Sequence, residues 1–125
     1  MILTITLNPA LDKMIRLNDF KLGKLNKIIS TNISAGGKGI NVTKILSKLN
    51  IKNQAVAIIG GNNGELIKSM LIKRGINSEF IYSKYETRQN LKIIENNTGR
   101  ETEINAKGKI EKEVISELLS SREDL

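Results

Sequence analysis

Ala35-Gly36-Gly37-Lys38-Gly39-Ile40-Asn41-Val42 is the stretch on which the fold turns. Three glycines among residues 36–39 end any strand that precedes them. Directly afterwards Val42, Ile45, Leu46 and Leu49 recur at i, i+3, i+4 and i+7, the spacing of one helical face. The reading is a glycine-rich loop that opens a helix, with those four side chains turned to the core. Such a loop lets backbone approach a ligand closely, and the helix start directs N–H groups and partial positive charge at it. An anion or a sugar hydroxyl suits that place. The loop is neither a Gly-Lys-Ser/Thr phosphate loop nor a G-x-G-x-x-G fingerprint. On pattern alone a tight strand-to-helix turn fits equally well.

Working outward, Ile2 to Leu7 is apolar and β-branched and reads as a buried strand, stopped at Asn8-Pro9. Lys13 to Asn18 alternates like a half-exposed strand, and Asn26 to Ile33 is a further strand. Gln54 to Ile59 is a second buried strand, ended by Gly60-Gly61. Asn62 is then the expected cap of a helix, with Glu65 at the capping-box position and Gly75 at the far end. Leu66, Ile67, Met70 and Leu71 are its expected inner face. Glu79 to Ser83 reads as a third short strand. Arg88 to Glu95 and Glu101 to Asn105 form a hairpin around Asn96-Asn97-Thr98-Gly99. Ile110, Val114, Ile115, Leu118 and Leu119 mark a last amphipathic helix. Strand, helix, strand, helix, strand predicts an α/β fold with a parallel core. Residues 13–33 and 88–105 do not fit that core and read as a small sheet standing off it.

Composition narrows the chemistry. The 125 residues contain no Cys and no His, so a zinc centre, a disulfide framework, a thiol nucleophile and a Ser-His-Asp triad are excluded. A general base would have to be a carboxylate or a lysine. The net charge of +7 invites a nucleic-acid reading. That reading is set aside: the lysines are scattered, and the few aromatics form no recognition motif. Ile, Lys and Asn together supply 49 of the 125 residues, a bias of the kind an AT-rich genome imposes. No apolar run is long enough to span a bilayer. The first residues enter a strand pattern with no basic segment and apolar run before it, so a cytoplasmic location is expected.

Two further residues stand out. Asp12 follows the first strand and the break at Pro9, at what reads as the C-terminal end of a central parallel strand, where open α/β sheets place ligands. A carboxylate suits paired sugar hydroxyls, although a lone loop aspartate is more simply a surface residue. Arg88 opens the polar run Thr87-Arg88-Gln89-Asn90, and arginine suits bidentate phosphate contact. Taken alone, it too reads as an exposed hairpin residue.

Four segments in order change that weighting: Thr6-Leu7-Asn8-Pro9-Ala10-Leu11-Asp12, the glycine stretch through Val42, Thr87-Arg88-Gln89-Asn90-Leu91, and Thr102-Glu103-Ile104-Asn105. Together they resemble the phosphofructokinase B branch of the ribokinase-like carbohydrate kinases, on the side of 1-phosphofructokinases and tagatose-6-phosphate kinases. The resemblance runs over essentially the whole chain and implies a three-layer α/β/α core, here partial, with a small β-sheet lid formed by residues 13–33 and 88–105. It implies that Asp12 holds sugar hydroxyls, that Gly36, Gly37, Lys38 and Asn41 line the sugar site, and that Arg88 meets the phosphate already on the substrate. It implies a homodimer paired through the lid. The implied reaction is ATP-dependent phosphorylation of fructose 1-phosphate to fructose 1,6-bisphosphate. Tagatose 6-phosphate or fructose 6-phosphate is the alternative substrate, and a non-catalytic sugar-phosphate-binding module the alternative function.

The family pattern also carries a later Asp-Thr-x-Gly-Ala-Gly-Asp segment with the catalytic base and anion hole, an Asn-x-x-Glu magnesium motif and a nucleotide pocket. None of these occurs in residues 1–125. The sequence therefore resembles the N-terminal, substrate-binding portion of such a kinase. ATP and magnesium are expected for a full-length enzyme, with neither bound, and no catalysis performed, by this chain alone. In the family arrangement another strand is expected beside residues 79–83. Without it that edge is open, and marginal stability or self-association is expected.

Overall fold

The computed structural model describes residues 1–122. In chain order the elements are β1 (Ile2–Thr6), β2 (Ala10–Leu17), β3 (Ser30–Gly36), α1 (Lys38–Lys48), β4 (Asn53–Ile59), α2 (Gly61–Lys73), β5 (Ser78–Tyr82), β6 (Arg88–Glu95), β7 (Glu101–Ile104) and α3 (Lys112–Ser120). They build two sheets. One is parallel, in the order β1-β4-β5, and the other is mixed, in the order β3-β2-β6-β7. The polar segments set aside from the core by their sequence do form the separate second sheet.

The central strand β4 shows why the parallel sheet is layered. Ala55, Ala57 and Ile59 alternate with Val56 and Ile58, and all five are buried, so both faces need cover. Ala55, Ala57 and Ile59 pack with Ile40 of α1 and with Ile67 and Leu71 of α2. Val56 and Ile58 pack with Val114 and Leu118 of α3. Two helices on one face and one on the other give a partial α/β/α stack. Leu11 and Ala35 of the second sheet join the α1–α2 side of this core and so fix the second sheet to the first.

Several local expectations change. β2 begins at Ala10, immediately after Pro9, rather than at Lys13; it pairs along its whole length with β6 and from Ala10 to Arg16 with β3. Asp12 is therefore a ladder residue of the second sheet. β1, read as a central strand, is an outer strand of its sheet, as is β5. β3 runs to Gly36, so the glycine loop starts inside a strand.

α1 is turned about its axis relative to the expected face. Ile40 and Thr43 are buried, whereas Val42, Ile45 and Leu49 are exposed. A Cβ at Gly39 would lie 2.3 Å from Thr6 Oγ1 and 2.8 Å from the Ile5 carbonyl oxygen, so bare glycine backbone makes the contact with β1.

α2 differs in its cap. Asn62 makes no capping bond, and Gly60 occupies the cap position. The Glu86 carboxylate instead reaches across to accept from Asn62 N at 3.2 Å and Asn63 N at 2.7 Å. A carboxylate at a helix start also meets the positive end of the dipole. Leu66, expected inside, is exposed, and Gly64, Ile67 and Leu71 form the buried face. The C-terminal end follows expectation: Gly75 has φ +70°, and Ile76 N donates to the Leu71 carbonyl. In α3, Val114 and Leu118 are buried while Leu119 is exposed, and Ile110 precedes the helix.

Candidate sugar-phosphate site

The strand register of the second sheet decides which side chains meet. Asp12 on β2 stands opposite Ser34 on β3 and Asn90 on β6. The β6–β7 pairing continues the row to Asn105, just beyond β7. One pleat along lie Asn32, Met14, Lys92 and Glu103. Alternation turns both rows to the same face, where they line a cavity of about 230 Å³. Its lining is mostly polar, with the Asp12 carboxylate at its inner end. Lys92 is held between Glu101 and Glu103 at 3.5 and 3.6 Å.

Asp12 is seated from two sides. Asn90 Nδ2 donates to its Oδ1 at 3.3 Å. Its Oδ2 lies against Gly36, where an added Cβ would come within 1.9 Å. Gly36 thus serves the site by making room for the carboxylate. Gly37 has φ +126°, and a Cβ there would meet Thr6 Cγ2 at 2.7 Å, so it serves the close turn against β1. The glycines read together from the sequence have different tasks.

Arg88 opens β6 two residues before Asn90, on the same face of the strand. Its Nη1 donates to the Ala106 carbonyl at 3.0 Å and its Nη2 to the Asn8 carbonyl at 3.1 Å. Its Nε is buried without a partner. Arg88 shares a second cavity, of about 260 Å³, with Thr6, Asn8, Gly37, Lys38 and Gly39. This is the mouth of α1, which has no side-chain cap at Gly37 and no acidic residue in its first turn. Arg88, the helix start and Lys38 therefore make one electropositive place, and Asp12 and Gly36 a neighbouring electronegative one. Asn41 is exposed on the first turn of α1 and lines neither cavity.

Behind Asp12, the Lys44 amine donates to the Ala35 carbonyl. Burial lowers its pKa, neighbouring Arg74 adds to that, and Asp12 opposes it. Ser34, Asn90, Lys92 and Asn105 received no role from the sequence. The signal that finds them is the two-residue period running on from Arg88 to Asn90 and Lys92, read together with pairing to Asp12.

Among known proteins, the model of the pfkB family carbohydrate kinases matches residues 5–125. The 1-phosphofructokinase of Borreliella burgdorferi is 45% identical over 122 residues, covering 98% of this chain and 39% of that protein. The tagatose-6-phosphate kinase of Staphylococcus epidermidis is 39% identical over 108 residues, covering 86% and 34%. Escherichia coli phosphofructokinase-2 in complex with fructose-6-phosphate superposes with a TM-score of 0.92 at 23% identity, over 99% of this chain and 41% of that one. The tetrameric inhibited form of the same enzyme gives 0.89 at 25% identity, over 96% and 40%. The chain spans about two-fifths of the length of the relatives it matches. With a family model covering nearly every residue and the expected partial α/β/α core in place, the chain belongs to the pfkB family of carbohydrate kinases.

Proposed function

We propose that residues 1–125 form the sugar-phosphate-binding portion of an ATP-dependent cytoplasmic kinase that converts fructose 1-phosphate to fructose 1,6-bisphosphate. The observation that carries the reading is the placement of Asp12 and Arg88 two residues apart on one face of the second sheet, with the α1 N-terminus beside Arg88. Asp12 accepts from sugar hydroxyls, while Arg88, Lys38 and the helix start hold the existing phosphate. Gly36 completes the sugar side by leaving room for Asp12, and Gly37 lies on the phosphate side; Asn41, exposed and outside both cavities, has no place in the site. In this reading the second sheet is the lid over the substrate.

Nucleotide and magnesium belong to the full reaction, where they supply the transferred phosphoryl group and neutralise its charge. Among the described residues no three His, Cys, Asp or Glu side chains gather to hold a metal. No step is therefore assigned through magnesium here; in this reading the base, metal and nucleotide sites belong to the part of the relatives' length that this chain does not span. A homodimer through the second sheet is part of the proposal. On the face opposite Asp12 one row runs Ile33, Lys13, Leu91, Ile104, with Ile33 and Ile104 exposed. The described helices include none long and apolar enough to cross a membrane.

Calorimetric titration of fructose 1-phosphate into the 125-residue chain tests the reading. Saturable binding that is lost in Asp12→Ala and in Arg88→Ala is expected, with no ATP turnover. Tighter binding of tagatose 6-phosphate or fructose 6-phosphate would reassign the substrate. Turnover of ATP by this chain would refute the division of labour. Binding to any polyanion, steeply salt-dependent and insensitive to Asp12, would replace the reading with a nucleic-acid one.

A further inference from the structure

We infer that Asn90 is a positioning residue: it holds the Asp12 carboxylate in the orientation that receives sugar hydroxyls and ties it to the chain that follows β7. The inference rests on the substrate reading above. Both ends of the Asn90 amide are engaged. Its Nδ2 donates to Asp12 Oδ1 at 3.3 Å, and its Oδ1 accepts from Ala106 N at 3.0 Å. A backbone N–H only donates and an ionised carboxylate only accepts, so these two partners fix which way the amide points. With Oδ1 of Asp12 held by Asn90 and Oδ2 against the bare Gly36 backbone, the carboxylate has little freedom to turn. An aspartate without such partners rotates broadly about its second torsion. Preorganisation of this kind lowers the entropy lost when a ligand binds.

The second tie reaches the phosphate side. Ala106 donates its N–H to Asn90, and its carbonyl accepts from Arg88 Nη1. One residue thus joins the residue that orients Asp12 to the residue proposed for phosphate. Asn90 is half-buried and lines the cavity beside Asp12, so its amide also closes one wall of the sugar place.

Asn90→Asp isolates the donor function. The substitution keeps the size and still accepts from Ala106 N, but it replaces the donated N–H with a second carboxylate facing Asp12. Two carboxylates this close resist joint ionisation and share a proton. At about pH 8 the repulsion turns Asp12 away, and at about pH 5 a shared proton restores a donor. The expected result is a fructose 1-phosphate Kd raised ~10–30-fold over wild type at the higher pH and within ~3-fold at the lower. Comparing with wild type at each pH cancels the titration of the ligand phosphate itself. Methyl phosphate, which lacks the hydroxyls, should bind both proteins equally.

Equal fructose 1-phosphate affinity of variant and wild type at both pH values overturns the inference. So does a parallel loss of methyl phosphate binding, which would mean a collapsed site. A ligand-free measurement separates this inference from the substrate reading. The Asn90 side-chain amide resonance in a ¹⁵N spectrum should move in Asp12→Ala. If wild type binds no fructose 1-phosphate, the substrate reading fails. The amide shift still decides whether Asn90 holds Asp12, and an unmoved resonance refutes it.

Discussion

Replacing Gly36 with alanine should damage binding far more than folding. The new Cβ would stand 1.9 Å from Asp12 Oδ2 and 2.7 Å from its Cγ, with no backbone atom among its nearest neighbours. Ordinary contact begins near 3.4 Å, so the carboxylate must retreat by about 1.5 Å. Gly36 lies outside the left-handed region, so alanine brings no backbone strain. The retreat is a side-chain rotation that breaks the 3.3 Å bond from Asn90. One lost hydrogen bond and an off-rotamer aspartate cost ~1–2 kcal/mol of stability. Loss of a charged acceptor for the sugar hydroxyls costs ~1.5–3 kcal/mol of binding, or roughly 10–150-fold in Kd. Urea unfolding gives the first quantity and calorimetry with fructose 1-phosphate the second. Wild-type affinity in a folded Gly36→Ala protein would refute the seating of Asp12. An unfolded protein would show that the clash is not absorbed by the aspartate.

Gly39→Ala should show the opposite balance. Its Cβ would meet the Ile5 backbone and Thr6, so urea unfolding should reveal a loss of more than ~2 kcal/mol. Glu86→Gln keeps the length but removes the charge that caps α2 at Asn62 N and Asn63 N. An unfolding free energy lower by ~0.5–1 kcal/mol in urea is expected. Glu95 supplies the pH dependence. Hydrogen bonds first from Arg100 and then from Phe20 N lower its pKa. A depressed folded-state pKa means stability fully present above the unfolded carboxylate value and lost as pH falls through the folded one. In Glu95→Gln the melting temperature should vary less with pH across that acidic window than in wild type. An unchanged profile would remove Glu95 from the acid response.

Element types were legible because period and punctuation agree locally. The run Ala55 to Ile59 is apolar throughout, and β4 is buried on both faces. Asn96 to Gly99 turns the hairpin where expected, since Gly99 takes φ +72°. Asp12, Gly36 and Arg88 stand out as candidates only because four motifs stand in register. Faces were less legible. The α1 stripe Val42, Ile45 and Leu49 has ideal helical spacing, yet it is exposed and the helix buries Ile40 and Thr43 instead, a face that spacing alone does not select. The cap of α2 comes from Glu86, far along the chain, so no local box could reveal it. Asn90 was quoted within a motif but given no task, because its partners Asp12 and Ala106 become neighbours only through strand pairing.

The two carbonyls that grip Arg88 have a consequence for recognition. An arginine side chain carries five N–H donors and roughly 2 kcal/mol of rotamer entropy. In Arg88 only two of those donors are engaged, by Asn8 and Ala106, and both acceptors belong to backbone. The side chain is therefore immobilised as the protein folds, while one proton on each terminal nitrogen stays unspent; the Nε is buried. In the proposed reading a phosphate would meet a fork already aimed, with donors that need no rearrangement. Lysine at this position could match the charge but not this arrangement. A single ammonium cannot answer two carbonyls on opposite loops and still present a planar pair to an anion.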